Sequence, residues 1–347
     1  MTAAGLPPVS VLALGGTIAS TGAGAGVTPK LTAEQLVQSV PGLAEVARIR
    51  AETFRQVPSP ELTLVDLSAL AQEIAHRIAA GDAGVVVTQG TNTIEETAFM
   101  LDLLVGGDAP VVVTGAMRNP TLPGADGPAN LLAAVSTAAS PQARGLGAVV
   151  VFADEIHAAR YVRKAHTQSI MPFRSSPAGP IGWLSEGRVR VGARPAGRRR
   201  LALDPAREAP WVALVTFGAG DEGLLVGAVA DAGYQGLVVE ATGGGHIAAA
   251  CVDQLEALAG RMPVALASRT GAGELLQRTY SFPGSEIDLI ARGLIPAGAM
   301  TAAQARVLLR LLLTAQAPLP EIRRAFAALA APGTEAELLG GRLVVTA

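Results

Sequence analysis

Between residues 9 and 154 the chain repeats one pattern four times: a short run rich in β-branched residues that stops abruptly at small polar residues. The runs are VSVLAL (9–14), VVVTQG (85–90), PVVVTGA (110–116) and GAVVVFAD (147–154). Each is too short for a buried helix and has the composition of a strand covered on both faces. Helical patterns lie between them. Residues 61–80 place apolar side chains at 62, 64, 65, 67, 70, 74, 75 and 78, and Gly81 ends the stripe. TIEETAFMLDLLV (93–105) and PANLLAAVSTAA (128–139) read as two more helices, the second with Pro in its first turn. Strand–helix–strand alternation of this kind predicts a mostly parallel sheet with helices on both faces.

From about residue 186 to 210 the pattern breaks into an Arg- and Pro-rich stretch that reads as an interdomain linker. A second series follows, with strands at 211–217, 236–242 and 263–268 and helices near 220–231, 246–260 and 301–315. The expected fold is α/β in two domains, each a mostly parallel sheet flanked by helices. The expected boundaries are 1–190, a linker at 191–210, and 211–347.

Composition removes several classes of function. Among 347 residues, half are hydrophobic and 16% are charged, which excludes a disordered chain. The net charge of −2 provides no field to gather nucleic acid or an anionic membrane. No apolar run reaches the length of a membrane span, and the N-terminal segment lacks the basic start of a signal peptide. The cytoplasm is therefore the expected location. The single cysteine, Cys251, excludes an intrachain disulfide framework, and the four histidines show no metal-ligand pair at helical spacing. Of 27 basic residues only Lys30 and Lys164 are lysines, so chemistry that needs a titratable amine has two candidates.

In parallel α/β sheets ligands sit beyond the carboxyl ends of the strands. The residues placed there are Gly15-Gly16-Thr17, Gln89-Gly90-Thr91-Asn92, Thr114 to Arg118, and Thr242 to His246. Neither a dinucleotide fingerprint nor a Walker A motif is present. Thr17 follows two glycines and opens the glycine-rich segment ASTGAGAGVTP, which has the character of a mobile lid. The plain alternative is an ordinary loop whose threonine satisfies backbone groups. Thr93 with Glu96 fits a capping box, which accounts for those two residues but not for Thr91 and Asn92. A lysine held near a threonine hydroxyl in a partly desolvated site would lose proton affinity and serve as a general base; Lys164, after the strand at 147–153, is the candidate, with a surface lysine as the plain alternative. Backbone N–H groups from Gly90 to Asn92, or near Ala116, are candidate oxyanion donors.

The segments LALGGTIAS, VVVTQGTNTIEETAFMLDLL, PVVVTGAMRNPTLPGADGPANLLAAV and YVRK resemble, together and in order, the bacterial-type L-asparaginase and glutaminase-asparaginase family. SRTGAGELLQRTYSFPGSEIDLIARGLIPAGAMTAAQARVLLRLLL is similar to that family's C-terminal region, so the likeness runs from about residue 8 to 330. It implies a larger N-terminal and a smaller, flavodoxin-like C-terminal domain. It also implies a homo-oligomer, a tetramer built as a dimer of dimers or a dimer, with no cofactor or metal. The reaction implied is hydrolysis of a side-chain amide through a threonine acyl-enzyme. On this resemblance Thr17 is the nucleophile, and Thr91 is the second threonine, partnered by Lys164. Ser59 binds the substrate α-carboxylate, and Glu286 lies near the substrate ammonium of a neighbouring subunit.

Three departures alter the expectation. Asn92 stands where the family usually has Asp, and Gln89 where it usually has His. Loss of that charge leaves the substrate ammonium less well paired, at a cost of roughly 3–5 kcal/mol if the site is buried. It also leaves Lys164 without an acidic partner and so easier to deprotonate. The loop after Thr17 has no tyrosine, and Thr28 or Tyr280 is the expected substitute. Gly244 stands where some relatives carry an asparagine. The leading reading is an amidohydrolase that converts L-asparagine to L-aspartate and ammonia, weakened by Asn92. The alternatives are an amidase for a small amide with an altered or absent α-amine, and a catalytically silent paralogue that binds a small carboxylate.

Overall fold

The computed structural model describes residues 5–22, 26–195, 200–201 and 209–330. Residues 23–25 of the expected lid, and 196–199 and 202–208 of the expected linker, lie outside them. The chain forms two compact units, Met1–Arg198 and Arg199–Ala347.

The first unit contains β1 (Pro8–Ala13), β2 (Ser20–Thr21), β3 (Thr28–Pro29), α1 (Ala33–Gln38), α2 (Leu43–Val46), β4 (Arg48–Thr53) and α3 (Leu64–Ala79). These are followed by β5 (Gly84–Thr88), α4 (Ile94–Leu104), β6 (Val111–Thr114), α5 (Gly127–Ala139), β7 (Ala148–Phe152) and β8 (Glu155–Ala158). The unit ends with β9 (Val162–Lys164), β10 (Phe173–Ser175), β11 (Gly182–Ser185) and β12 (Arg188–Val191). Its main sheet has eight strands in the order β12-β11-β8-β7-β6-β5-β1-β4. From β4 to β7 the pairing is parallel. From β7 to β12 it is antiparallel.

The expected strands and helices of this half are present, with small shifts at their ends. β5, β6 and β7 are buried along their whole length, as continuous valine runs require when helices cover both faces. Each fully buried valine contributes roughly 1.5–3 kcal/mol. The reading of residues 186–191 as the start of a linker is corrected, because Arg188–Val191 is the edge strand of the sheet. Its alternation of arginine and valine is a one-face-buried strand pattern that basic composition disguised. The half-exposed β4, RIRAET, has the same disguise.

The second unit contains β13 (Val212–Thr216), α6 (Leu224–Asp231), β14 (Gly236–Ala241), α7 (Val252–Ala259), β15 (Val264–Ser268), α8 (Glu286–Ala291), β16 (Ile295–Pro296), α9 (Ala302–Thr314) and α10 (Leu319–Ala330). Its sheet is β13-β14-β15-β16, all parallel. Thr301 and Gln304 form a reciprocal capping box at the start of α9.

The strand order β4-β1-β5-β6 fixes where the first unit can hold a ligand. The chain leaves β1 toward β4 on one side and leaves β5 toward β6 on the other. The two connections diverge, and a crevice opens beyond the carboxyl ends of β1 and β5. Thr17 follows the first of these strands and Thr91 the second.

Candidate active site

Gly16 and Gly90 bring the two threonine loops together. Gly16 has φ +82°, and a Cβ there would lie 2.0 Å from Gly90 N. Only glycine permits both that conformation and that approach. Thr17, the next residue, is half-buried and begins a single 3-10 turn, Thr17–Ala19, held by Ser20 Oγ donating to Gly16 O at 2.8 Å. The chain then pairs β2 with β3, placing Thr28 opposite Thr21, with Thr28 exposed.

Gly90 also closes on Ser59, since a Cβ on it would lie 2.8 Å from Ser59 Oγ. Ser59 is buried, and its hydroxyl has no hydrogen-bond partner among the described residues. A buried hydroxyl in that state costs about 1–3 kcal/mol, which a ligand's acceptor would recover. Ser59 opens the 3-10 turn Ser59–Glu61, and its carbonyl accepts from Thr93 Oγ1 at 3.2 Å.

Thr91 and Asn92 lie in the 3-10 turn Thr91–Thr93 that leads into α4. Lys164, at the end of β9, donates from Nζ to Thr91 Oγ1 at 2.8 Å and to Asn92 Oδ1 at 3.1 Å. Thr91 is buried and Asn92 exposed. Burial holds the Lys164 amine below its usual range, and the charge of Glu95 opposes that shift.

Two sequence expectations about this region are corrected. Thr93 is the N-cap of α4, but its side chain makes no capping bond. Its hydroxyl is drawn instead to the Ser59 carbonyl, which fastens one loop to the other. Nor does Lys164 lack an acidic neighbour. Glu95 Oε2 accepts from the Lys164 backbone N–H, and its charge acts on the lysine. As an acidic residue in the first turn of α4, Glu95 also favours the positive end of that helix.

Ala116 is fully buried in the turn after β6. Asp126 pins this turn by accepting from Met117 N at 2.9 Å and Arg118 N at 2.8 Å. Asn130 donates to Gly115 O at 3.0 Å and to Asp126 Oδ2 at 3.1 Å, and accepts from Ala153 N at 3.0 Å. Sequence reasoning missed both residues. The available signal was a buried asparagine in the otherwise apolar helix PANLLAAV.

Glu286 and Tyr280 belong to the second unit. The Glu286 side chain is wholly buried at the start of α8. Its Oε1 accepts from Thr279 N and Tyr280 N, both at 2.8 Å, and its Oε2 lies 3.0 Å from His246 Nε2. Burial pushes this carboxyl up, but the hydrogen bonds outweigh it and hold the group below the ordinary carboxylate range. The Tyr280 ring packs edge-to-face on His246, with centroids 5.0 Å apart. His246, among the residues expected beyond a strand end, is the side chain that pairs with Glu286. Among the described residues no group of three or more His, Cys, Asp or Glu side chains is gathered as a metal site requires.

The family model "Asparaginase, N-terminal" matches residues 8–197, and "Glutaminase/Asparaginase C-terminal domain" matches residues 211–326. The chain belongs to the asparaginase family. It is an amide hydrolase of the asparaginase type. It is 38% identical over 332 residues to a "Probable L-asparaginase" of Deinococcus radiodurans, covering 93% of this chain and 98% of that one. It is 34% identical over 330 residues to "L-asparaginase 2" of Escherichia coli, covering 92% and 93%. Among solved structures, the probable cytoplasmic L-asparaginase of Campylobacter jejuni superposes with a TM-score of 0.84 at 30% identity, over 93% of this chain and 99% of that one. Among the described residues of this asparaginase-family chain, no helix is long and apolar enough to cross a membrane.

Proposed function

We propose that the protein hydrolyses L-asparagine to L-aspartate and ammonia through a threonine acyl-enzyme. The observation that carries this reading is the 2.8 Å contact between Lys164 Nζ and Thr91 Oγ1, beside the close approach of Gly16 to Gly90. A threonine hydroxyl is a weak nucleophile and needs a base or an activated neighbour. In this reading Thr17 Oγ attacks the side-chain amide carbon and gives up its proton. The amide nitrogen gains a proton and leaves as ammonia, and an ester remains on Thr17. Lys164, as the neutral amine, takes a proton from Thr91 as Thr91 takes the one that Thr17 gives up, and Lys164 passes its proton to the departing amide nitrogen. Water then attacks the ester, releases the carboxylate product and returns the proton to Thr17. Backbone N–H groups of the Gly90–Asn92 turn or near Ala116 hold the oxyanion.

Ser59, with its unpartnered buried hydroxyl, suits the α-carboxylate of such a substrate. Glu286 is held ionised and suits a substrate ammonium, which we place in the site of a neighbouring subunit. A homo-oligomer, either a tetramer formed as a dimer of dimers or a dimer, follows from that assignment. Light scattering on the purified protein tests it. A cytoplasmic location is supported by the likeness to the Campylobacter jejuni protein, although a Haemophilus influenzae relative is named periplasmic. Cell fractionation decides between them.

One observation favours a second reading. Asn92 is neutral and exposed where the substrate amine would be sought, which suits an amide whose α-amine is altered or absent. Ammonia release from L-asparagine, L-glutamine, D-asparagine and des-amino amides, measured for the protein and for Asn92→Asp, separates the two. L-asparagine as the poorest substrate of that panel in both proteins would overturn the first reading.

A further inference from the structure

The start of α4 holds Lys164 at two levels. The ammonium reaches Thr91 and Asn92, and the backbone N–H of the same residue donates to Glu95 Oε2. Thr91 lies in the 3-10 turn that precedes α4, and Glu95 in the first turn of α4 itself. Glu95 is partly buried. Burial pushes its carboxyl up, while the Lys164 N–H and the charges of Arg163 and Lys164 pull it back. The charges that act on Glu95 are those of Arg163 and Lys164 on β9, while Arg174, opposite Arg163 on β10, is exposed and acts on His157. Without the carboxylate, Arg163 and Lys164 would lose the negative charge they share, and Asn92, whose Oδ1 lies 3.1 Å from the ammonium, offers none.

We propose that Glu95 is a positioning residue for the reaction, fixing the strand that carries Lys164 and supplying beside that lysine the negative charge that Asn92 does not. The inference rests on Lys164 serving as the base in amide hydrolysis. A neighbouring carboxylate stabilises the ammonium against burial, so it sets the pH at which the amine becomes available. The bond to the Lys164 N–H sets the height from which the side chain reaches Thr91.

The chain has only two lysines, so labelling lysine with carbon-13 at Cε gives two signals, and Lys30→Arg assigns the other to Lys164. In Glu95→Gln the Lys164 signal is expected to titrate lower by about one pH unit. The acid limb of kcat should move down by the same amount. Adding Asn92→Asp to that variant is expected to restore the titration. In the unmodified protein the same signal should show a smaller step at lower pH, where Glu95 takes its proton, and this measurement needs no variant to fold. An unchanged Lys164 titration in Glu95→Gln, or no second step in the unmodified protein, overturns the assignment. The titration requires no turnover. Failure to hydrolyse L-asparagine would therefore strike the proposed function, while an unshifted titration in an active enzyme would strike Glu95 alone.

Discussion

Lys164 Nζ stands 2.8 Å from Thr91 Oγ1, although 73 residues separate them in the chain. The ammonium form donates to that oxygen, and the neutral amine can take its proton. Burial lowers the lysine's proton affinity, so the neutral form becomes accessible nearer neutral pH than for a free lysine. A base must be deprotonated to act, so activity is expected to rise with pH and to fall away on the acid side of the Lys164 titration. Lys164→Met and Thr91→Val are each expected to lower kcat by about 10²–10⁴-fold with an unchanged circular dichroism spectrum. Either variant turning over within a few-fold of the parent would remove the pair from the mechanism.

Asn92→Asp places a carboxylate where Asn92 Oδ1 now accepts from Lys164 Nζ at 3.1 Å. The added charge stabilises the ammonium, so the acid limb of the rate profile should move to higher pH. The side chain is exposed, so the large penalty expected for a buried site does not apply. An exposed pair is worth about 0.2–1 kcal/mol, which predicts a fall of a few-fold at most in KM for L-asparagine. Steady-state kinetics across pH checks both parts.

Ser59→Ala removes a buried hydroxyl that has no partner among the described residues. Stability to urea is expected to stay constant or rise slightly, because an unpaired polar group is lost. KM for an α-carboxylate substrate should rise about tenfold with little change in kcat, the pattern of a lost binding contact. An unchanged KM would reduce Ser59 to loop packing.

His157 is buried, with Nδ1 2.9 Å from Ser175 Oγ. Burial, aided by the Arg174 charge, pushes its pKa down to about 4. Below pH 6.5 the unfolded chain takes a proton that the folded one refuses, so stability falls as pH drops from about 6.5 to 4. The loss is on the order of 3 kcal/mol. Glu95 acts in the opposite sense, since its raised pKa favours the folded state as pH falls. The measurement is therefore a comparison: urea melts of the protein and of His157→Phe over this window. Equal slopes with pH would contradict the assignment.

Gly227 lies inside α6, exposed, with no atom within 4 Å of a Cβ built on it. Alanine there is expected to stabilise the fold by about 0.5–1 kcal/mol. Gly16→Ala should do the reverse. Its Cβ meets the Gly90 backbone, so the two threonine loops must part, and activity is expected to be lost along with stability. Thermal melts and ammonia release on the two variants make the contrast.

The amino-acid sequence alone determined the parallel core, because buried strands such as VVVT and VVVF and the apolar helical stripes between them are set by local periodicity. It also placed Thr17 and Thr91 just after the strands β1 and β5, and the order of motifs identified the family. The edge strands RIRAET and RVRV were harder to see, since one exposed face rich in arginine dilutes the signal that burial imposes. Tertiary structure alone decided the partners: Thr93 with the Ser59 carbonyl instead of its own helix, Glu95 with the Lys164 backbone, Asn130 with the Gly115 turn, and His246 with Glu286. Hydrogen bonds and charges act over a few ångströms in space regardless of separation along the chain. A pattern of residue types records which side chains prefer burial, but not which of them the closing of a sheet will bring face to face.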